Sequence, residues 1–319
     1  MLTYILFVVG FYLLIKGADL LVDGAASVAQ RLKVSSIVIG LTIVAFGTSA
    51  PELVVNVLAS FKGNADIAIG NILGSNIANI LLILGISAMI YPLKTKENTV
   101  WKEIPLSLLA AILLGTMAND LRIDGVAYSG LTRTDGIALI SFFAIFIYYT
   151  FGIAKVKDNF DAEVEIKNYS QLKAGVFIIM GIAGLVVGGK WIVDGATKIA
   201  ELFNVSQSLI GLTVVAIGTS LPELATSAVA AYKKHTDIAI GNIVGSNIFN
   251  IFWILGISSI IRPLPFDTTF DFDIVVMVLA SAILFFIMFV GKKHTITKRE
   301  GFLMVSLYVF YLAFLLGKQ

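Results

Sequence analysis

Four polar stripes recur in this chain at a spacing suited to holding a cation. Thr48, Glu52 and Asn56 follow one another at i, i+4 and i+8, and Thr219, Glu223 and Ser227 repeat that spacing. Asn71, Ser75 and Asn79 make a third stripe, and Asn242, Ser246 and Asn250 a fourth. Residues four apart on a helix share a face, so each stripe presents a row of oxygens, with one carboxylate in each of the first two. Carboxylate, hydroxyl and amide oxygens are hard ligands, and Ca2+ takes about six to eight of them. The chain has no Cys, and its two His residues, His235 and His294, fall at loop edges, which argues against zinc or copper. No Ser/His/Asp set, paired-Asp protease motif or HExxH lies in the apolar segments, so catalysis inside a membrane is disfavoured.

The stripes sit in a duplication. Asp66–Ser87 (DIAIGNILGSNIANILLILGIS) and Asp237–Ser258 (DIAIGNIVGSNIFNIFWILGIS) are near copies, preceded by GTSAPEL at Gly47–Leu53 and GTSLPEL at Gly218–Leu224. Glu223 follows Glu52, Ser246 follows Ser75 and Asn250 follows Asn79, each by 171 residues, so the match is in register. What the halves share is polar chemistry within apolar runs, where an unpartnered group costs several kcal/mol. That pattern points to one site built from both halves. Backbone hydrogen bonding or close helix packing accounts for a lone Ser, Thr or Asn, and for Gly70, Gly74, Gly241 and Gly245, as readily as a ligand role does. It does not account for the paired Glu residues. Asp23 and Asp194, in matching VDGA segments, are expected to be structural or capping groups, and Lys16 and Lys190 to extend toward a membrane surface.

The elements that must position these residues are membrane spans. With 58% hydrophobic residues, 14% charged and a mean hydropathy of +0.92 over 319 residues, the chain could not present a soluble surface. Its net charge of +2 is small and its basic residues are scattered, so nothing suggests nucleic-acid binding. The first apolar run lacks a secretory cleavage pattern and reads as a retained span. Ten candidate spans cover roughly 2–29, 34–62, 65–91, 101–118, 133–154, 171–200, 206–232, 236–261, 271–291 and 300–317. Pro51 and Pro222 predict breaks in helices 2 and 7, with unwound backbone at Ala45 and Ala216. The only long polar connection is Lys155–Lys173. The chain thus divides into a first five-helix repeat (1–154), a cytoplasmic linker (155–173) and a second five-helix repeat (174–319).

Five spans separate equivalent points, and an odd number means that the second copy enters the membrane upside down. Lys and Arg counts agree: one set of loops holds 15 and the other 6, which places the first set in the cytoplasm and both termini outside. Inverted repeats with paired, interrupted helices are the sequence sign of alternating-access transporters, with the site near the bilayer midplane. The expected fold is an all-α polytopic membrane protein of ten transmembrane helices in two inverted five-helix repeats.

GTSAPE with GNILGSNIAN, and GTSLPE with GNIVGSNIFN, resemble the two alpha repeats of the sodium/calcium exchanger family within the cation/calcium exchanger superfamily. The resemblance implies a ligand cluster on spans 2, 3, 7 and 8, with spans 1 and 6 sliding across the rest to switch access. By motif position it implies ion ligands at Glu52 and Glu223, Thr48 and Thr219, Ser49 and Ser220, Ser75 and Ser246, the carbonyls of Ala45 and Ala216, and the amides of Asn79 and Asn250. The chain departs from the family in one respect. Exchangers of this family often have Asp at one of the positions occupied here by Asn79 and Asn250, and potassium-dependent relatives use an acidic residue in the second repeat. With Asn at both, two core carboxylates balance one Ca2+, and potassium co-transport is not expected. The Lys155–Lys173 loop has no room for a calcium-sensing regulatory domain, as in prokaryotic-type members, so transport is expected to be constitutive. The expected activity is antiport of Ca2+ against Na+ in the cell membrane, with H+ as an alternative counter-ion and a cation channel as the alternative class. The expected partners are Ca2+, Na+ and the lipid bilayer, with no cofactor and no obligatory protein partner.

Overall fold

The computed structural model describes residues 2–125, 129–154, 167–202 and 216–317. The chain forms α1 (Leu2–Leu32), then α2 (Ser36–Thr48) and α3 (Ala50–Lys62), which meet at a bend of 49°. Next come α4 (Ala65–Ile90), β1 (Leu93–Lys94), α5 (Glu97–Met117), β2 (Gly130–Leu131) and α6 (Arg133–Ala154). The second half holds α7 (Gln171–Leu202), α8 (Ala216–Thr219), α9 (Leu221–Tyr232), α10 (Thr236–Ile261), β3 (Leu264–Pro265), α11 (Asp271–Ile287), β4 (Thr295–Ile296) and α12 (Lys298–Gly317). Among the described residues eight helices are long and apolar enough to cross a membrane, or nine when the bent α2–α3 pair counts as one. The break expected in helix 2 is there. The first part of the expected seventh span, residues 203–215, lies outside the described residues.

Both breaks fall at a serine. Ser49 (φ −83°, ψ 9°) and Ser220 (φ −87°, ψ 5°) leave the helical region together, and Pro51 and Pro222 follow inside the first turns of α3 and α9. Proline has no amide hydrogen to give, so it fits a first turn, where that donor has no partner anyway. The expectation of unwound backbone at Ala45 is thereby corrected: Ala45 opens a helical turn, Ala45–Thr48, and its carbonyl accepts the Ser49 N–H at 3.0 Å. Ala216 likewise begins a helical turn.

Among the described residues three stretches wind more loosely, as π-helix: Gly40–Val44 in α2, Ala78–Leu84 in α4 and Phe249–Leu255 in α10. Apolar periodicity gives no hint of them. The last two occupy the same place in each repeat, and Asn79 and Asn250 lie within them. Widened turns of this kind are rare and cluster at functional sites.

α4 and α10 form the centre, with 78% and 83% of their apolar windows buried against 22–39% for the other candidate spans. Small residues let backbones come this close where lipid offers no hydrophobic drive for helix pairing. A Cβ on Gly245 would lie 2.8 Å from the Leu41 backbone, and one on Gly40 would lie 3.1 Å from Gly241 Cα, so α2 rests directly on α10. The long helices α1 and α7 run antiparallel to each other: Gly10 faces Gly188, Gly17 faces Gly181 and Gly24 faces Ala174, with backbones in contact throughout.

Two short ribbons tie loops of opposite halves together. Leu93–Lys94 pairs with Thr295–Ile296, and Gly130–Leu131 pairs with Leu264–Pro265. α5 leads from the first ribbon to the second and α11 leads back, so the ribbons cap opposite ends of the bundle. Ion pairs obey the same division: Lys96 meets Asp237 at 3.9 Å, and Arg122 meets Asp271 at 2.5 Å at the other end. Each contact joins loops that the Lys/Arg pattern assigns to one side. Single cysteines replacing Lys94 and Pro265 in this cysteine-free chain are therefore expected to react with a membrane-impermeant maleimide from opposite faces of sealed vesicles; reaction of both from one face would contradict this arrangement.

Candidate cation site

The bend at Ser49 and its counterpart at Ser220 aim Thr48, Ser49, Thr219 and Ser220 into the space between α4 and α10. The hydroxyl of Ser49 donates to Glu223 Oε1 at 3.0 Å, and Ser246 reaches the same oxygen from α10 at 3.4 Å. On the other side Ser75 donates to Glu52 Oε1 at 3.4 Å, and Ser220 donates to Ser75 at 3.3 Å. Both Glu side chains are 1% exposed, so neither carboxylate has bulk water to solvate it. Burying such a group costs several kcal/mol unless opposite charge or donors replace the water.

A second layer holds the threonines. Thr48 donates to Asn242 Oδ1 at 3.0 Å, and Thr219 approaches Asn71 Oδ1 at 3.4 Å. The Asn242 amide then donates to Ser227 at 2.9 Å, and the Asn71 amide donates to Asn56 at 2.7 Å. Asn56 and Ser227 are in turn anchored to the Ala68 and Ala239 carbonyls, at 2.9 and 3.4 Å. Asn56, Asn71, Ser227 and Asn242 are thereby committed to orienting other groups. The threonine, asparagine and Glu–Ser bonds just described recur in both halves, but the bend serines differ: Ser49 reaches the opposite Glu, whereas Ser220 reaches Ser75.

Ten of the twelve residues singled out in the sequence, Thr48, Ser49, Glu52, Ser75, Asn79, Thr219, Ser220, Glu223, Ser246 and Asn250, come together between α2–α3, α4, α8–α9 and α10. Ala45 lies one turn before the bend, where its carbonyl also accepts the Thr48 hydroxyl at 3.3 Å. Ala216 opens α8 in the equivalent position. Asn76 and Asn247 are two residues that the stripes do not include. They are 171 apart, 1% and 2% exposed, and hydrogen-bonded to Asn250 and Asn79 across the two halves at 2.9 Å. Their recurrence inside both GSN segments was the available signal; a search for helical stripes passes over it because they stand one residue beyond Ser75 and Ser246.

Four buried acceptors in this cluster have no hydrogen-bond donor: Glu52 Oε2, Glu223 Oε2, Asn79 Oδ1 and Asn250 Oδ1. They are two symmetry-related pairs. Among the described residues no cluster of three or more Asp, Glu, His or Cys side chains suited to a metal occurs, so the two Glu depend on hydroxyl and amide oxygens as neighbours. A buried set of two carboxylates, neutral hydroxyls and amide oxygens, with acceptors in excess of donors, is chemically fitted to hard cations.

Bent helices meeting at a buried oxygen cluster, inside a bundle of apolar spans, define a polytopic ion transporter. The model of the sodium/calcium exchanger protein family matches residues 2–152 and 173–317, and the chain belongs to that family. It is 39% identical over 98% of both chains to the putative antiporter CaxA of Alkalimonas amylolytica. It is 34% identical to the sodium/calcium exchanger MaX1 of Methanosarcina acetivorans, covering 98% of this chain and 97% of that one. Among solved structures, the sodium-calcium exchanger NCX_Mj in crystals soaked with Na+ and Ca2+ superimposes with a TM-score of 0.84 at 34% identity, over 98% of each chain. The protein is thus a membrane transporter of a cation/calcium exchange family, and that family is not a class of enzyme.

The second layer makes a stability prediction. Asn56→Ala removes the acceptor for the Asn71 amide and the donor to the Ala68 carbonyl, which is expected to cost about 1–3 kcal/mol for the buried groups left unpaired. Asn56→Ser, which installs the residue found at Ser227, is expected to keep most of that stability. Thermal unfolding of the purified protein in detergent checks the order wild type, Ser, Ala.

Proposed function

We propose that this chain exchanges Ca2+ for Na+ across the cell membrane by alternating access, through a site at Glu52, Glu223, Thr48, Thr219, Ser49, Ser220, Ser75, Ser246, Asn79 and Asn250, with the Ala45 and Ala216 carbonyls completing it. The observation that carries the reading is the set of four donorless acceptors. Two carboxylates supply the charge that one Ca2+ neutralises, and Asn79 and Asn250 add neutral oxygens. Na+ competes for the same hard oxygens, and its entry from one side displaces Ca2+ toward the other. MaX1 and NCX_Mj, both sodium/calcium exchangers, support this choice of ions.

The access switch rests on the helices outside the cluster. α1 lies along α9, where Lys233 bonds Asp19 at 2.5 Å and Asp23 at 2.6 Å, and Lys167 joins Asp23 at 3.4 Å. The repeat counterparts of Lys233 and Asp23 are Lys62 and Asp194, both exposed and without an ion pair among the described residues. Their helices, α3 and α7, scarcely meet. One sequence duplicated into two halves has therefore closed one end with charge and left the other apart, which is the asymmetry that alternating access requires. Movement of α1 and α7 across the rest of the bundle, as a pair joined by their glycine-lined contact, is the proposed exchange between the two arrangements. This reading includes ten spans in two inverted repeats, with the Lys233 end cytoplasmic and both termini outside.

In proteoliposomes, an outward-directed Na+ gradient is expected to drive 45Ca2+ uptake, and an equal H+ gradient is not. Glu52→Gln and Glu223→Gln are each expected to abolish that uptake, because either leaves one negative charge against a divalent ion in a low-dielectric site. Near-native uptake by both variants would rule out the site.

A further inference from the structure

Asn76 and Asn247 do not offer free oxygens to the cluster, yet both are buried and both cross between the halves. Asn76 Nδ2 lies 3.4 Å from the Asn247 carbonyl oxygen, and Asn247 Nδ2 lies 3.4 Å from the Asn76 carbonyl oxygen. A backbone carbonyl can only accept, so the NH2 of each amide must face it. The Oδ1 of each must then face outward along its own helix partner: Asn76 Oδ1 faces Asn250 Nδ2, and Asn247 Oδ1 faces Asn79 Nδ2, both at 2.9 Å. Asn79 and Asn250 therefore have their donor ends consumed, and their Oδ1 atoms are left without a donor. Two backbone carbonyls thus fix two free oxygens, because reversing any one of the four amides sets like dipoles against each other.

We propose that Asn76 and Asn247 are positioning residues that turn the Asn79 and Asn250 amides oxygen-first toward the ion, and that they make positions 79 and 250 selective for an amide over a carboxylate. A carboxylate at Asn79 would set an oxygen against Asn247 Oδ1, where an N–H now lies 2.9 Å away. Position 250 stands in the same relation to Asn76. The double Asn in this chain is then coupled to its GSN segments. The proposal rests on the reading that Asn79 and Asn250 are ion ligands. Without Asn247, the Asn79 amide is free to present its NH2, which repels a cation.

The test is Ca2+ binding by titration calorimetry on the purified full-length chain, with thermal unfolding measured alongside. Asn247→Ala and Asn76→Ala are each expected to weaken Ca2+ binding at least tenfold. A carboxylate offers an acceptor whichever way it turns, so Asn79→Asp is expected to improve binding at least threefold more in the Asn247→Ala background than in wild type. A residue that merely glues the two helices would lower thermal stability and leave the effect of Asn79→Asp equal in both backgrounds. Should the alanine variants not fold, Asn247→Ser, which keeps a hydroxyl beside Asn79, is expected to weaken binding a few-fold and to show the same non-additivity. Wild-type affinity in folded Asn247→Ala or Asn247→Ser, or equal effects of Asn79→Asp in both backgrounds, overturns the proposal. Glu52→Gln is run in parallel: loss of binding there with no loss on removing Asn247 refutes the positioning role alone, whereas binding retained in Glu52→Gln refutes the site and the positioning role together.

Discussion

Two carboxylates buried within one bundle, with too few donors to satisfy them, are the constraint around which the molecule is built. Glu52 and Glu223 each keep one oxygen bonded to serine hydroxyls and one without a donor. Such groups are tolerated when the surrounding structure holds them rigidly and a cation or a proton neutralises them. The structure accordingly spends its polar side chains on rigidity: Asn71, Asn242, Asn56 and Ser227 fix the threonines, and Asn76 and Asn247 fix the two amides. Beyond this layer the packing turns apolar, and glycines bring the backbones into contact.

The glycines set how closely the helices approach one another. Between α2 and α10 they bring Thr48 within reach of Asn242, so there close packing serves geometry. Between α1 and α7 the same residue type brings the backbones together, with the Phe7, Leu13, Ile178 and Ile192 side chains packed against the facing glycines. Close backbone contact of this kind holds the two helices together as a pair. Lys233 ties α1 to α9 through Asp19 and Asp23, so Asp23 fits the structural part expected from its VDGA context, while Asp194 in the matching segment is exposed.

A buried polar residue in a lipid-facing chain has few explanations, and that is why so much of the site was legible in the sequence. The in-register repetition of Glu, Ser and Asn at a separation of 171 residues identified the residues that meet, and the Lys/Arg pattern sorted the loops into the groups that the two ribbons and the ion pairs later joined. The prolines located the breaks to within a residue or two. Hydropathy, side-chain charge and the helical repeat are local or periodic properties, so the sequence by itself determined the membrane class, the candidate spans and the list of site residues. Tertiary structure alone decided three things. The backbone leaves the helix at Ser49 and Ser220, and Ala45 stays helical, because proline tolerates a first turn and displaces the break to the residue just before it. Asn79 and Asn250 fall in π-helical turns, whose extra residue per turn depends on packing between α4 and α10 and leaves no mark on periodicity. Asn76 and Asn247 acquired their partners only when the halves met, since a hydrogen bond between residues 168 or 174 positions apart is set by how two helices cross and has no counterpart in the local sequence.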